Sequence, residues 1–256
     1  MQYTVCCVPV SPVRSEPSHK SEMVTQQLFG ERSVVLELVA GNWAKIALKY
    51  DGYEGWCQLS HLSEIDEDHY GNVDMALTAG WINEVDYNGH FMNVPMGSAL
   101  SAFKNGRAFW RKNSVHFKGE VWNPGEIKIT PKIIRQVAYK FFNTSYLWGG
   151  KSVFGIDCSG FTQMTYKFLN AHLPRDAWQQ AEKGELVNFL QEAHCGDLAF
   201  FDNDEGKIVH VGLLLNSDEI IHASGKVRVD KIDTQGILNL ETKQRTHNLR
   251  IIKRFF

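Results

Sequence analysis

The residues that decide the fold of the C-terminal half read Gly155-Ile156-Asp157-Cys158-Ser159-Gly160-Phe161. From Cys158 to Leu169 the apolar residues fall at helical spacing, so the cysteine stands where a loop becomes a helix. Unpaired N–H groups and the positive end of the helix dipole lie at such a position, and both favour a thiolate. The pattern therefore predicts a nucleophilic cysteine whose neighbouring N–H groups hold an oxyanion. The alternative is a buried cysteine at a capped helix start.

A cysteine nucleophile needs a general base, and two histidines downstream are placed to supply one. His210 lies near the start of an apolar strand, and His222 ends the next strand, with a polar turn over 215–219 between them. In an antiparallel hairpin the start of one strand lies beside the end of the next. Since the two histidines are an even number of residues apart, we expect them on one face, as a Cys158-His210-His222 relay.

The surrounding sequence predicts an α+β domain over 126–256, preceded by two small β modules. Thr130 and Pro131 predict the start of a helix that runs to residue 143, and period-two strands follow from residue 197. Short strands separated by Gly41-Asn42 and Asp51-Gly52 predict a small barrel over 1–65. A similar pattern predicts a second β module over 66–125.

Composition narrows the function classes. With 27 Lys and Arg against 29 Asp and Glu, the net charge of −2 argues against a broad nucleic-acid surface. No segment approaches the roughly 20 apolar residues of a membrane helix, so no membrane insertion is expected. The N-terminus lacks a basic start and an apolar run, which favours a cytoplasmic protein. A periplasmic or cell-envelope location is the alternative if a leader was removed. Five cysteines without a C-x-x-C pair fit neither a disulfide framework nor a zinc site.

Five motifs in the C-terminal half resemble those of the NlpC-type cell-wall peptidases. They are Tyr146-Leu147-Trp148-Gly149-Gly150, Asp157-Cys158-Ser159-Gly160-Phe161, Cys195-Gly196-Asp197-Leu198-Ala199-Phe200-Phe201, Val209-His210-Val211-Gly212 and Ile221-His222-Ala223. The resemblance implies a papain-like α+β fold for 126–256. The N-terminal half resembles bacterial SH3-like modules. Together they resemble the γ-D-glutamyl-L-diamino acid endopeptidases of muropeptide recycling.

This resemblance implies hydrolysis of the γ-D-glutamyl–diamino acid bond in peptidoglycan stem peptides with a free N-terminal L-Ala. Cys158 would be the nucleophile, acting as a thiolate paired with imidazolium His210, which His222 orients. Tyr146 would help to form the oxyanion site. Substrate contacts are expected from five residues, Glu22 (with Glu16 as second choice), Tyr53, Asp157, Ser159 and Asp176. Ala177 replaces a hydroxyl residue of many relatives. A monomer without cofactor or metal is expected.

Several alternatives stay open at this point. Cys195 could be the nucleophile, although it precedes a strand and not a helix. A metal site from His210, His222 and a carboxylate is a second possibility. The protein could also be a lytic enzyme that acts on the intact wall, a non-catalytic wall-binding protein, or an acyltransferase on the same fold.

Overall fold

The computed structural model describes residues 2–256, which fold as two compact units. The first unit spans the chain up to Glu126 together with Trp148–Val153, and the second comprises Ile127–Leu147 and Phe154–Phe256. Among the helices of the described residues, none combines the length and the apolar character needed to span a bilayer.

The first unit begins with an antiparallel sheet. Its strands in chain order are β1 (Gln2–Cys6), β2 (Val10–Arg14), β3 (Met23–Leu28), β4 (Arg32–Val39), β5 (Trp43–Leu48), β6 (Glu54–Gln58) and β7 (Leu62–Glu64). They lie in the order β3-β2-β6-β5-β4-β1-β7. The predicted turns fall at Asn42 and Gly52, whose positive φ angles of 59° and 72° fit these residue types. Alternate residues of β5 point inward, so that Ala44, Ile46 and Leu48 form part of the core.

The rest of the first unit is a smaller set of strands. It contains α1 (Glu67–Gly71), β8 (Leu77–Thr78), β9 (Ile82–Tyr87), β10 (His90–Pro95), β11 (Arg107–Trp110), β12 (Asn113–Phe117), β13 (Val121–Trp122) and β14 (Lys151–Ser152). One hydrophobic cluster joins Val5 and Phe29 of the first sheet to Val85 and Trp110 of the second. Because both sheets share this core, they form one compact unit, and a boundary at residue 65 stays a prediction.

The second unit contains helices followed by an antiparallel sheet. Its elements are α2 (Pro131–Tyr139), β15 (Gly155–Ile156), α3 (Cys158–Phe168), α4 (Ala177–Ala181), β16 (Glu185–Val187), β17 (Leu198–Asp202), β18 (Ile208–Leu214), β19 (Glu219–Ser224), β20 (Lys226–Asp233), β21 (Gly236–Leu238) and β22 (Arg245–Arg254). The predicted first helix is shorter than expected, because the chain turns after Tyr139 and reaches a positive φ of 63° at Asn143.

The sheet of the second unit closes on itself. Its strands lie in the order β16-β22-β17-β18-β19-β20-β21, and β22 also pairs with β21, so the strands from β22 to β21 form a barrel. Helix α3 is buried along its whole length and packs against β18 and β19. This packing holds the first residue of α3 beside the strands that carry His210 and His222. The predicted α+β fold is confirmed.

Candidate active site

Cys158 is the first residue of α3 and is 7% exposed. The preceding Asp157 caps the helix, because its Oδ1 accepts a hydrogen bond from the Gly160 N–H at 2.6 Å. Arg175, which is 1% exposed, donates to both Asp157 oxygens at 3.0 and 2.5 Å and to Ser159 Oγ at 2.9 Å. This buried network fixes the start of the helix and therefore the position of the thiol.

The Cys158 thiol interacts with the Val211 backbone, which directly follows His210 in β18. Burial and, less strongly, the negative charge of Asp157 raise the pKa of the thiol to about 12, against smaller opposing effects of the Val211 backbone, Arg175 and the Ser159 backbone. Burial also lowers the pKa of His210 well below its usual value, and a positive charge on the neighbouring His222 or His247 lowers it further. These directions favour a neutral thiol and a neutral imidazole at rest, and not the ion pair expected from the sequence.

The two histidines meet as their spacing predicts. His210 Nε2 lies 2.8 Å from His222 Nδ1, with the two rings nearly perpendicular at 84°. In the sheet, His222 pairs with Gly212 and not with His210, so the imidazoles approach each other diagonally on one face. A Cβ at Gly212 would lie 2.8 Å from the His222 Cβ, which is closer than real Cβ contacts come. The glycine therefore leaves room for the histidine pair.

A carboxylate that was not predicted from the sequence continues this chain of hydrogen bonds. His222 Nε2 lies 3.0 Å from Asp230 Oδ2, and Asp230 is fully buried. Burial raises the pKa of Asp230, but hydrogen bonds from His222, the Leu240 N–H and Arg228 outweigh it and leave the pKa below its usual value. Asp230 is therefore ionised at neutral pH. A sequence signal did exist, because Arg228 and Asp230 alternate with the apolar Val227 and Val229 in β20.

The ionised carboxylate sets the tautomers along the chain. An ionised carboxylate only accepts hydrogen bonds, so His222 Nε2 carries a proton and donates it to Asp230. Neutral His222 then accepts at Nδ1, and His210 donates from Nε2. The nitrogen of His210 that can take a proton is consequently Nδ1. Through His222, Asp230 thus determines that Nδ1 is the basic nitrogen of His210.

Tyr146, the predicted oxyanion residue, lies in the same unit. Burial raises the pKa of its phenol well above the usual value, and the neighbouring Cys158 and Asp157 charges raise it further. The phenol is therefore a protonated donor close to the nucleophile. A cavity of about 270 Å³ adjoins it, lined by Tyr146, Val209, His210, Ala223, Ser224, Gly225 and His247.

The remaining predicted substrate contacts of the second unit form hydrogen bonds within the protein. Asp157 and Ser159 are engaged by Arg175, as described above, and Asp176 caps α4, with its N–H donating to Gln179 Oε1 at 3.1 Å. Their roles as substrate contacts stay predictions. Cys195, the alternative nucleophile, precedes β17, and burial raises the pKa of its thiol. Among residues 2–256, no group of three or more His, Cys, Asp or Glu side chains is arranged to hold a metal ion.

Two predicted substrate contacts belong to the first unit. Glu22 Oε1 accepts a hydrogen bond of 2.7 Å from Trp148 Nε1, and the Trp148 side chain is 62% exposed. Tyr53 packs partly buried against the hydrophobic core of the first sheet. Trp148 belongs to the Tyr146–Gly150 motif, but its contact with Glu22 was not predicted from the sequence.

Two family models match this chain. One, described as the NlpC/P60 family, matches residues 143–246, and the other, described as the bacterial dipeptidyl-peptidase Sh3 domain, matches residues 13–62. The chain is 31% identical over 220 residues to the gamma-D-glutamyl-L-lysine dipeptidyl-peptidase of Bacillus subtilis (strain 168), covering 78% of this chain and 71% of that protein.

Further likenesses extend over most of the chain. Dipeptidyl-peptidase 6 of Lysinibacillus sphaericus is 26% identical over 257 residues, covering 86% of this chain and 88% of that protein. The crystal structure of an NlpC/P60 family protein from Bacillus cereus ATCC 10987 aligns with a TM-score of 0.81 at 19% identity, covering 98% of this chain and 99% of that one. The predicted fold class, an α+β domain preceded by SH3-like β structure, is confirmed by these likenesses.

Proposed function

The chain belongs to the NlpC/P60 family, and from that membership we propose that it is a cysteine peptidase of peptidoglycan stem peptides. Its reaction is hydrolysis of the bond between γ-D-glutamate and the diamino acid. The observation that carries the proposal is the buried relay, in which Cys158 at the start of α3 lies against the strand that carries His210 and His222 follows at 2.8 Å.

The resting neutral pair defines the order of the proton transfers. As Cys158 Sγ attacks the γ-glutamyl carbonyl carbon, His210 Nδ1 takes the thiol proton. The imidazolium formed is stabilised through His222 by the carboxylate of Asp230, while Tyr146 and N–H groups at the start of α3 donate to the oxyanion. His210 then protonates the leaving amine as the C–N bond breaks. Water, deprotonated by His210, hydrolyses the thioester and restores the thiol.

We also propose that the substrate enters with a free N-terminal amine. A carboxylate beside an exposed indole is a favourable site for an ammonium group, through a charge-assisted hydrogen bond and a cation–π contact. Glu22 and Trp148 form such a pair in the first unit. Trp148 also lies two residues after Tyr146 in the chain. Tyr53 is a further proposed member of this site, and Glu16 stays the second choice for the acid.

The reaction is tested with the tripeptide L-Ala-γ-D-Glu-diamino acid, with free muropeptides and with intact sacculi, read by mass spectrometry. We expect release of L-Ala-D-Glu from the tripeptide and the muropeptides. Cys158→Ala should lower the rate by at least about 10⁴-fold. Cys195→Ala is the matched control and should leave the rate unchanged. Activity of Cys158→Ala within tenfold of the unmutated protein would refute the assignment of the nucleophile, and cleavage of sacculi alone would indicate a wall hydrolase.

The amine site is tested by comparing free and N-acetylated tripeptide. Acetylation removes the charge and adds bulk, so we expect kcat/KM to fall at least about a hundredfold, which corresponds to about 2.7 kcal/mol. Glu22→Gln should reduce the ratio of kcat/KM for the free tripeptide to that for the acetylated one, and Glu16→Gln should leave this ratio unchanged. Equal cleavage of both substrates by the unmutated protein would contradict a closed, amine-binding site, and a narrowed preference in Glu16→Gln would identify Glu16 as the acid.

We propose a cytoplasmic location and a monomeric state. In the described part of the chain all five cysteines are free thiols, which suits a reducing compartment. Cell fractionation and sedimentation velocity test these two statements. Recovery in the periplasm would place the enzyme at the wall.

A further inference from the structure

A third histidine, which the reaction described above does not use, lies against the catalytic pair. The ring of His247, from β22, stacks on the ring of His210 with centroids 4.1 Å apart and planes 24° from parallel. It meets the His222 ring nearly edge-on, at 5.8 Å and 87°. The His210 ring is thus contacted on one face by His247 and held at its edge by His222.

The stacked ring has its own fixed orientation. His247 Nδ1 lies 2.8 Å from the Oγ1 of the adjacent Thr246. This contact engages one edge of the ring, while its flat face lies against His210. His247 also lines the cavity that His210 and Tyr146 border, so the contact occurs at the reaction centre itself.

The charged groups around His247 come from several strands. His210 faces it from β18, His222 from β19 and Asp230 from β20, and Tyr146 lies in the same cavity. On its own strand, Arg245 is paired with Asp233 and Arg250 with Asp202. Burial and, less strongly, the proximity of His222 lower the pKa of His247 to about 4, although Asp230 opposes this shift. At neutral pH the stacked ring is therefore uncharged.

We propose that His247 is a positioning residue that holds the His210 ring in place by stacking and presents an uncharged surface to the imidazolium formed during catalysis. A neutral aromatic ring stabilises a cation stacked on it, whereas a second imidazolium at 4.1 Å would repel it. Protonation of His247 in acid therefore opposes protonation of His210 and stops the reaction. This role rests on the proposed peptidase function.

The test compares His247→Phe, which keeps a flat ring that cannot be protonated, with His247→Ala, which removes the ring. His247→Phe should retain kcat within about threefold at pH 7 and shift the acid limb of the pH–rate profile to lower pH by at least half a unit. His247→Ala should lower kcat about tenfold or more with little change in KM, because the residue acts through His210. His194→Ala, at an exposed histidine of the same unit, is the matched control and should change neither quantity.

A second readout does not depend on the substrate. The rate of Cys158 alkylation by iodoacetamide reports proton transfer from the thiol to His210 across the pH range. Alkylation of the other cysteines is measured in Cys158→Ala and subtracted. The acid limb of the corrected rate should shift in His247→Phe as the hydrolysis profile does. If hydrolysis is absent but the alkylation limb shifts, the proposed function fails and the role of His247 stands. If neither limb shifts and His247→Phe and His247→Ala lose the same activity, the positioning role is refuted. Should His247→Ala not fold, the limbs of His247→Phe decide alone.

Discussion

Replacing Asp230 by Asn tests whether the relay depends on a carboxylate behind the second histidine. Asp230 accepts hydrogen bonds on both oxygens, from His222 at 3.0 Å on one and from Arg228 and the Leu240 N–H at 3.1 and 2.8 Å on the other. Asn has the same size but replaces one acceptor with a donor. Its amide nitrogen must therefore face either His222 or the Arg228 and Leu240 donors.

We expect the amide nitrogen to face His222, because on the other side it would meet two donors, Arg228 and the Leu240 N–H. With nitrogen towards His222, the His222 proton must move from Nε2 to Nδ1, where it is donated to His210 Nε2. The proton of His210 then lies on Nδ1, which is the nitrogen needed as the base. We expect kcat to fall about a hundredfold, about 2.7 kcal/mol at 1.36 kcal/mol per tenfold. Loss of the charge also leaves Arg228, 8% exposed, with the exposed Glu241 as its remaining acidic partner. Because the exposed Glu241 compensates this charge only in part, we expect the free energy of unfolding to fall by about 3 kcal/mol.

The assay separates the two effects. Release of L-Ala-D-Glu is measured on folded protein, and urea unfolding gives the change in stability. Asp233→Asn is the matched control, since it removes an exposed carboxylate from the same strand, and it should keep kcat within twofold. If Asp230→Asn keeps kcat within threefold while folded, the tautomer argument is wrong and the relay ends at His222.

Three further predictions concern the same strands. His222→Gln should lower kcat only about tenfold, because an amide can still accept from His210 and donate to the carboxylate behind it; a loss as large as that of His210→Ala, expected at about 10⁴-fold, would contradict this. Gly212→Ala should lower the unfolding free energy by about 1–3 kcal/mol and kcat at least tenfold, whereas Gly125→Ala, where a Cβ meets open space, should do neither. The free energy of unfolding should fall as pH drops below about 6.5, because the folded-state pKa values of His210, His222 and His247 are lowered and the unfolded chain binds more protons there. The slope of the unfolding free energy against pH should approach about 1.4 kcal/mol per pH unit for each histidine and should be smaller in His247→Phe. The measurement is urea unfolding at several pH values, and an unfolding free energy that stays constant between pH 7 and 5 would refute the prediction.

Local signals explain what the sequence predicted correctly. The Thr130-Pro131 pair and the helical spacing of apolar residues from Cys158 onward depend only on nearby residues, and both helices begin where these patterns place them. The even spacing of His210 and His222 placed them on one face because strand periodicity is also local. Each of these inferences needed a single element or a single hairpin.

The parts that were missed depend on contacts between distant strands. His247 reaches His210 only because β22 pairs with β17 on one side and with β21 on the other, which closes the barrel. Asp230 is two strands away from His210, and its pairing with His222 depends on the register of β19 and β20. The resting charge of Cys158 depends on burial, which the helix start alone does not reveal.

The segment Trp148–Val153 couples the evolution of the two halves of the chain. It lies inside the stretch that matches the NlpC/P60 model, yet it folds with the N-terminal strands. There the Lys151 ammonium, 1% exposed, lies 3.4 Å from the carboxylate of Glu31, and the Lys151 N–H donates to Gln26 Oε1 at 2.8 Å. A recombination event that exchanged the N-terminal half alone would leave this buried lysine without its counter-ion. The free energy of unfolding would then fall by about 3–5 kcal/mol. Descendants of this gene should therefore keep Glu31 and Lys151 together or lose both.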